Sequence, residues 1–200
     1  NGAKVDPECL RVLAATVKLC AELGHHVEER DPEIDRTAVV PTFLTLASAN
    51  TVVNLAGHPT AGRPAREGEV ERITWLTAKL GESISAPDYV RATQTAHRLG
   101  RQMAAFHAQW DVLLTPGLSS PAVKLGWLDM MMDDVNEYWR RVFDFSPFTV
   151  WFNLTGQPAL MLPLGRTASG FPWCITSARK FGRGKRAGSM RSGVSSGKCS

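Results

Sequence analysis

The sequence predicts an α/β domain with more helix than strand and too few strands for a complete doubly wound sheet. Three observations carry that reading. A capped helical pattern over residues 6–23 passes through Leu23-Gly24 into a strand-like segment at 25–29. A longer amphipathic pattern ends at Trp110 and runs directly into the short apolar segment 111–116. Residues 158–164, Pro-Ala-Leu-Met-Leu-Pro-Leu, have the length and composition of a buried strand. Helix alternating with strand is the rhythm of layered α/β proteins.

The elements follow in order. Asp6 is a good N-cap, Pro7 suits the first helical position and Glu8 complements the helix dipole. Leu10, Leu13, Val17 and Cys20 recur at spacings of three and four and predict the apolar face, with Gly24 as the stop. Residues 37–57 are small and apolar (Val39, Val40, Phe43, Leu46, Val52, Val53) and predict a buried helix ending at Gly57. Pro59, Gly62, Pro64 and Gly68 break the chain into a loop over 58–68. A shorter helix is expected over 69–81, through Val70, Ile73, Leu76 and Leu80. Ser85 followed by Asp88, with Pro87 between them, resembles a capping box. From there Ala92, Ala96, Leu99, Met103, Phe106 and Trp110 form a core-facing stripe, while Arg91, Arg98, Arg101 and Gln102 lie opposite. A helix is expected over 129–144, through Met130, Met131, Val135, Tyr138, Trp139, Val142 and Phe143. No internal repeat occurs.

Composition bounds the function classes. The 200 residues suit one domain, and 44% hydrophobic residues make ordinary globular composition. No uninterrupted apolar run approaches the roughly 18–20 residues that span a bilayer, so no membrane association is expected. Four cysteines without regular spacing exclude a disulfide-framework module. Without a signal peptide, a cytoplasmic location is expected. The net charge of +4 conceals a split. Residues 1–165 carry 15 basic and all 19 acidic side chains, whereas 166–200 carry eight basic side chains and no acidic one. The body is acidic and the end is a basic, Gly/Ser-rich tail. Such a tail suits nucleic acid or another acidic partner, a disordered end, or residues never selected as protein.

Candidate chemistry is sparse. His25 and His26 are adjacent and point to opposite faces of a strand, so they do not chelate one ion readily. His58, His97 and His107 are dispersed. Cys20 lies near His25, but no Cys-x-x-Cys pair supports zinc. Cys9 and Cys20 share a helix and sit about 16 Å apart along its axis, too far for a disulfide. They read as reduced thiols, one of them in the core. Glu28-Glu29 and Asp133-Asp134 are contiguous acids and read as solvated edges rather than catalytic dyads. No phosphate-cradling Gly-rich loop occurs. Gly193-Val194-Ser195-Ser196-Gly197 has the letters of a nucleophile elbow, but not the strand–turn–helix context the elbow needs. No catalytic, cofactor-binding or metal-binding residue is assigned.

Three motifs, in order, resemble the amidase-signature family. They are Val5-Asp6-Pro7-Glu8 with Leu23-Gly24-His25-His26-Val27-Glu28-Glu29; Asp111-Val112-Leu113-Leu114-Thr115-Pro116; and the run 148–165, from Phe148-Thr149 through Asn153, Gly156 and Pro158-Ala159 to Pro163 and Gly165. Within the family, residues 54–59 and the helix through Arg91 are most similar to amidases of the 6-aminohexanoate cyclic dimer hydrolase kind. The resemblance implies a partial α/β/α fold, with helices packed on an incomplete mixed sheet. It also implies hydrolysis of C–N amide bonds by a Ser, a second Ser on a cis peptide, and a Lys. The substrate is then a small-molecule amide, with no metal or organic cofactor. The Gly/Ser-rich signature and the catalytic Lys of the family lie upstream of everything matched, so no catalytic residue transfers to this chain. Ser195 and Ser196 lie on the wrong side of the matched region to stand in for them.

The resemblance divides the chain into 1–170, the C-terminal part of an amidase domain, and a basic tail over 171–200, disordered or produced by a reading-frame shift. Asn1 at the start accords with a fragment that is inactive and poorly folded by itself. Two other readings stand beside it. One is a non-catalytic helical binding module whose tail contacts nucleic acid or an acidic partner. The other is a non-hydrolytic relative acting inside an amidotransferase complex. Nucleic-acid binding is disfavoured because the tail interleaves few aromatics and matches no docking module, and homo-oligomerisation is left open.

Overall fold

Asp6 caps the first helix, α1 (Pro7–Glu22), by accepting a hydrogen bond from the Glu8 N–H at 2.8 Å. The structure, a computed structural model, describes residues 4–57, 62–167, 170, 172–179 and 191–194. β1 (His26–Glu29) follows the turn at Gly24. Then come α2 (Arg36–Ala56), capped by Asp35, and α3 (Arg72–Glu82). α4 (Ala86–Gln109) leads into β2 (Val112–Pro116). α5 (Val135–Phe145) and α6 (Thr149–Thr155) precede β3 (Ala159–Arg166), β4 (Pro172–Arg179) and β5 (Arg191–Val194).

The five strands form one mixed sheet in the order β1-β5-β2-β4-β3. β5 runs parallel to both β1 and β2, and β4 runs antiparallel to both β2 and β3. Alternation along β2 divides the core between the two faces of the sheet. Leu114 points toward α1 and packs with Cys9, Val12, Leu13 and Ile175. Leu113 points the other way and packs with Met103 and Phe106 of α4 and Phe152 of α6. A further cluster of Val39, Leu99 and Val150 joins α2 to α4 and α6. One face of the sheet therefore carries a single helix and the other a helical layer. This is the expected arrangement of helices on an incomplete mixed sheet.

Most helices lie where the periodicity places them, with physical differences. On α1 the buried residues are Cys9, Val12, Leu13 and Thr16, while Leu10 points out. Docking explains the turn of that face. Val12 sits on Gly165 of β3, where an added Cβ would meet the Val12 methyls at 2.6 Å. On α4 Ala92, Ala96, Leu99, Met103 and Phe106 of the predicted stripe are buried, His107 joins them, and Trp110, the last of the stripe, is half-buried at the C-cap. α5 begins at Val135 rather than near 129, because Asp134 caps it by accepting from the Asn136 and Glu137 N–H groups. The preceding Met130 carbonyl accepts instead from Ile73 N–H at 2.9 Å, which ties this segment to the start of α3. The short helix α6, stopped by Gly156 at φ +74°, has no counterpart in the expected elements.

Three expectations need revision or restatement. Residues 158–164 read as a buried strand, and β3 is indeed a strand. Its side chains are nevertheless exposed, because it is the outermost strand of the sheet. The absence of an apolar run long enough for a membrane also needs qualification. Ser, Thr, Ala and Asn interrupt α2, yet its 21 residues hold a window of mean hydropathy 1.4, long and apolar enough to cross a bilayer by length and composition alone. In the fold α2 packs against α3, α4 and α6. The compositional boundary at 170 coincides with no edge of the sheet. β4 lies between β2 and β3, and β5 lies between β1 and β2. The rest of 171–200, including Ser195 and Ser196, lies outside the described residues.

Candidate functional site

Ligands of open α/β sheets gather beyond the carboxyl ends of strands, so β2 is the place to start. β2 ends at Thr115-Pro116, and a buried turn follows to Ser119. Ser119 is a structural knot. Its hydroxyl donates to the Asp144 carbonyl at 2.6 Å, and its N–H donates to the Phe145 carbonyl at 2.9 Å. Its own carbonyl accepts from Asp6 N–H at 2.7 Å and from the Cys9 thiol at 3.3 Å. Its backbone and side chain together fasten α1 to the end of α5, and a hydroxyl so committed is not poised as a nucleophile. Beside it a cleft of about 380 Å³ is lined by Lys4, Ser120, Val123 and Trp127.

Across β2, β4 and β3 the register sets Thr115, Thr176 and Met161 in one row. Thr176 donates to the Met161 sulfur at 2.8 Å. Thr115 is buried, and its hydroxyl has no hydrogen-bond partner among the described residues. A buried polar group in that condition calls for a specific explanation. Where α4 passes α6, Ala96, Gly100 and Ala104 leave a cleft of about 360 Å³, bordered by His97, Arg101 and Gln157. Gln157 is buried and accepts from the Thr155 hydroxyl. Thr115, Gln157 and this cleft escaped the sequence reading. Its one available signal was the Ala/Gly spacing beside the α4 core stripe.

The candidate residues from the sequence disperse. His26 lies on β1, bonded to Glu28 at 2.7 Å and stacked near Trp110. That hydrogen bond, and then the bond from Arg30, lowers the Glu28 pKa from the usual carboxylate range. His107 is buried on α4 with Nδ1 3.1 Å from the Trp110 carbonyl, and His97 is exposed on the same helix. His58 lies outside the described residues. Among the described residues, no three His, Cys, Asp or Glu side chains converge as a metal site would require. Cys9 is fully buried, and burial chiefly pushes its thiol pKa up to about 12. Asp133 pairs with Arg72 at 3.0 Å while Asp134 caps α5, so the two adjacent acids have separate structural roles. Of the nucleophile-elbow letters, Gly193 and Val194 belong to β5, and the remainder lies outside the described residues.

Comparison with known proteins agrees with this arrangement. The Amidase family model matches residues 1–182. The 6-aminohexanoate-cyclic-dimer hydrolases of Pseudomonas sp. (strain NK87) and Paenarthrobacter ureafaciens are each 26% identical over 90% of this chain. A putative amidase, AmiC, of Mycobacterium leprae is 29% identical over 88% of it. A solved structure of 6-aminohexanoate cyclic dimer hydrolase superposes with a TM-score of 0.78 at 25% identity, covering 90% of this chain and 39% of that one. A bacterial aryl acylamidase shares the fold, with a TM-score of 0.69 at 17% identity. The chain spans 38% of the length of the two curated cyclic-dimer hydrolases. With three ordered motifs, the mixed sheet and a family match over most of its length, the chain belongs to the amidase-signature family.

Proposed function

We propose that this chain is the C-terminal portion of an amide-bond hydrolase. It forms one wall of a site whose Ser, cis-Ser and Lys lie on the part of the fold the chain does not span. The observation that supports this best is the superposition, which pairs nearly the whole chain with only 39% of a hydrolase. In the proposed mechanism the lysine must be neutral to take a proton from the bridging serine, so burial must depress its pKa. The activated nucleophilic serine attacks the amide carbonyl, and backbone N–H groups of the Gly/Ser-rich segment hold the oxyanion. Protonation of the nitrogen then releases the amine, and water hydrolyses the acyl-enzyme. The substrate is a small-molecule amide, in keeping with the substrate complex solved for 6-aminohexanoate cyclic dimer hydrolase. Its compartment is the cytoplasm.

The test is hydrolysis of the 6-aminohexanoate cyclic dimer, followed by release of primary amine. The 200-residue chain alone is expected to be inactive. The same chain joined behind the amino-terminal part of the P. ureafaciens relative is expected to turn over. Activity of the chain alone would refute the proposed division of labour.

A further inference from the structure

β5 is an unusual occupant of its place. A strand in the middle of a sheet with helices on both faces normally reads as a continuous apolar run, and its neighbour β2 does so with Val112-Leu113-Leu114. β5 lies between β1 and β2, yet its sequence is Arg191-Ser192-Gly193-Val194. Glycine inside a strand weakens it, because it has no side chain to pack and more freedom to lose. The segment belongs to the stretch 166–200, which carries eight basic side chains and no acidic one. The family match ends at residue 182. Of the five described strands, β1 to β4 lie within that match and β5 lies beyond it.

The strands on either side of β5 are matched to each other. β1 and β2 both run parallel to β5, so they run parallel to each other. The register sets Val27, Ser192 and Val112 in one row, and Glu28, Gly193 and Leu113 in the next. Val27 and Val112 therefore face the same side of the sheet. Both pack against the cluster of Cys9, Val12, Leu13, Leu114 and Ile175 between α1 and the sheet. With β5 withdrawn, β1 can close on β2 without a change of register or of face. Gly24, at φ +86°, precedes β1 and gives the chain a place to absorb the shift.

We infer that β5 is a displaceable strand, wedged into a sheet that closes without it by direct pairing of β1 with β2. Residues 191–194 thus hold a slot open between two strands of the family-matched region. This goes beyond the proposed function and does not rest on it.

The test traps the closed sheet in the full 200-residue chain. Val27→Cys and Val112→Cys are introduced together. Across β5 the two Cα atoms stand about 10 Å apart, two strand spacings, beyond the roughly 7 Å that a disulfide can bridge. In the closed sheet they stand about 5 Å apart, within reach. Mild oxidation should join positions 27 and 112 within one monomer, as mapped by mass spectrometry, while the amides of α1 and β2 stay protected. Adding Gly193→Pro, which removes an N–H and disfavours pairing on β5, should speed the joining at least about tenfold. In the unaltered chain, amides at 191–194 should exchange at least about tenfold faster than those of β2. No joining in either variant overturns the inference, since β1 then never reaches β2. Joining only where α1 and β2 lose protection reports global unfolding, and overturns it too. So does exchange at 191–194 as slow as in β2, or loss of α1 and β2 protection in Gly193→Pro, because β5 is then integral to the sheet. None of these readouts involves amide hydrolysis, so failure here leaves the proposed chemistry standing.

Discussion

Gly81 and Gly100 both lie inside helices, yet replacing each by alanine should have opposite effects. Taken by itself, a helix gains about 1 kcal/mol when an interior glycine becomes alanine. At Gly100 a new Cβ would find its nearest neighbour, the Thr155 carbonyl oxygen, at 3.9 Å, an ordinary contact. Gly100→Ala should therefore stabilise α4 by up to about 1 kcal/mol. At Gly81 the Cβ would fall 2.2 Å from the Ser48 carbonyl oxygen and 2.6 Å from its carbon. Those atoms belong to the backbone of α2 and cannot rotate away, so α2 and α3 must separate. Overpacking of this sort costs about 1–3 kcal/mol, and an immovable carbonyl puts Gly81→Ala at the upper end. After the propensity gain, the net loss is about 1–2 kcal/mol. The assay is amide exchange of α3, which reports local opening directly. Exchange should accelerate by roughly 5–30-fold in Gly81→Ala and slow by up to about fivefold across α4 in Gly100→Ala. Unchanged or slower α3 exchange in Gly81→Ala would refute the close approach of the two helices.

Two further predictions concern titrating groups. Hydrogen bonds from Arg140 and then Arg141 lower the Glu137 pKa to about 2. A carboxylate whose folded pKa is depressed contributes stability above its unfolded pKa and loses it as pH falls through the folded one. α5 should therefore loosen between about pH 4.5 and 2, and Glu137→Gln should remove that part of the pH dependence when α5 exchange is followed in acid. At Cys9, burial above all raises the thiol pKa to about 12. Alkylation by iodoacetamide at pH 8, mapped by mass spectrometry, should leave Cys9 unmodified until urea is added. Rapid native modification of Cys9 would contradict its burial between α1 and the sheet.

How much was legible follows from the range of each signal. The α4 stripe was readable because helical periodicity is local and all five of its buried members repeat at spacings of three and four. The Asp6 and Ser85 caps were readable for the same reason, each needing only the next few residues. The face of α1 was read less well, because the pocket left by Gly165, more than 150 positions away, draws Val12 inward and leaves Leu10 outside. No arrangement of catalytic side chains was legible. The polar groups now of interest, Thr115 and Gln157, acquire their positions only when β2 pairs with β4 and α6 turns at Gly156.

The sequence alone determined the places of most helices, the Asp6 and Ser85 caps, and the three motifs that carry family membership. Those signals lie in residues close together along the chain, where spacing and capping chemistry speak directly. Only the tertiary structure decided that residues 172–179 and 191–194 of the basic tail enter the middle of the sheet, and that the apolar strand at 159–166 ends up outside it. Strand neighbours are chosen by pairing across long stretches of chain, and burial belongs to the assembled sheet.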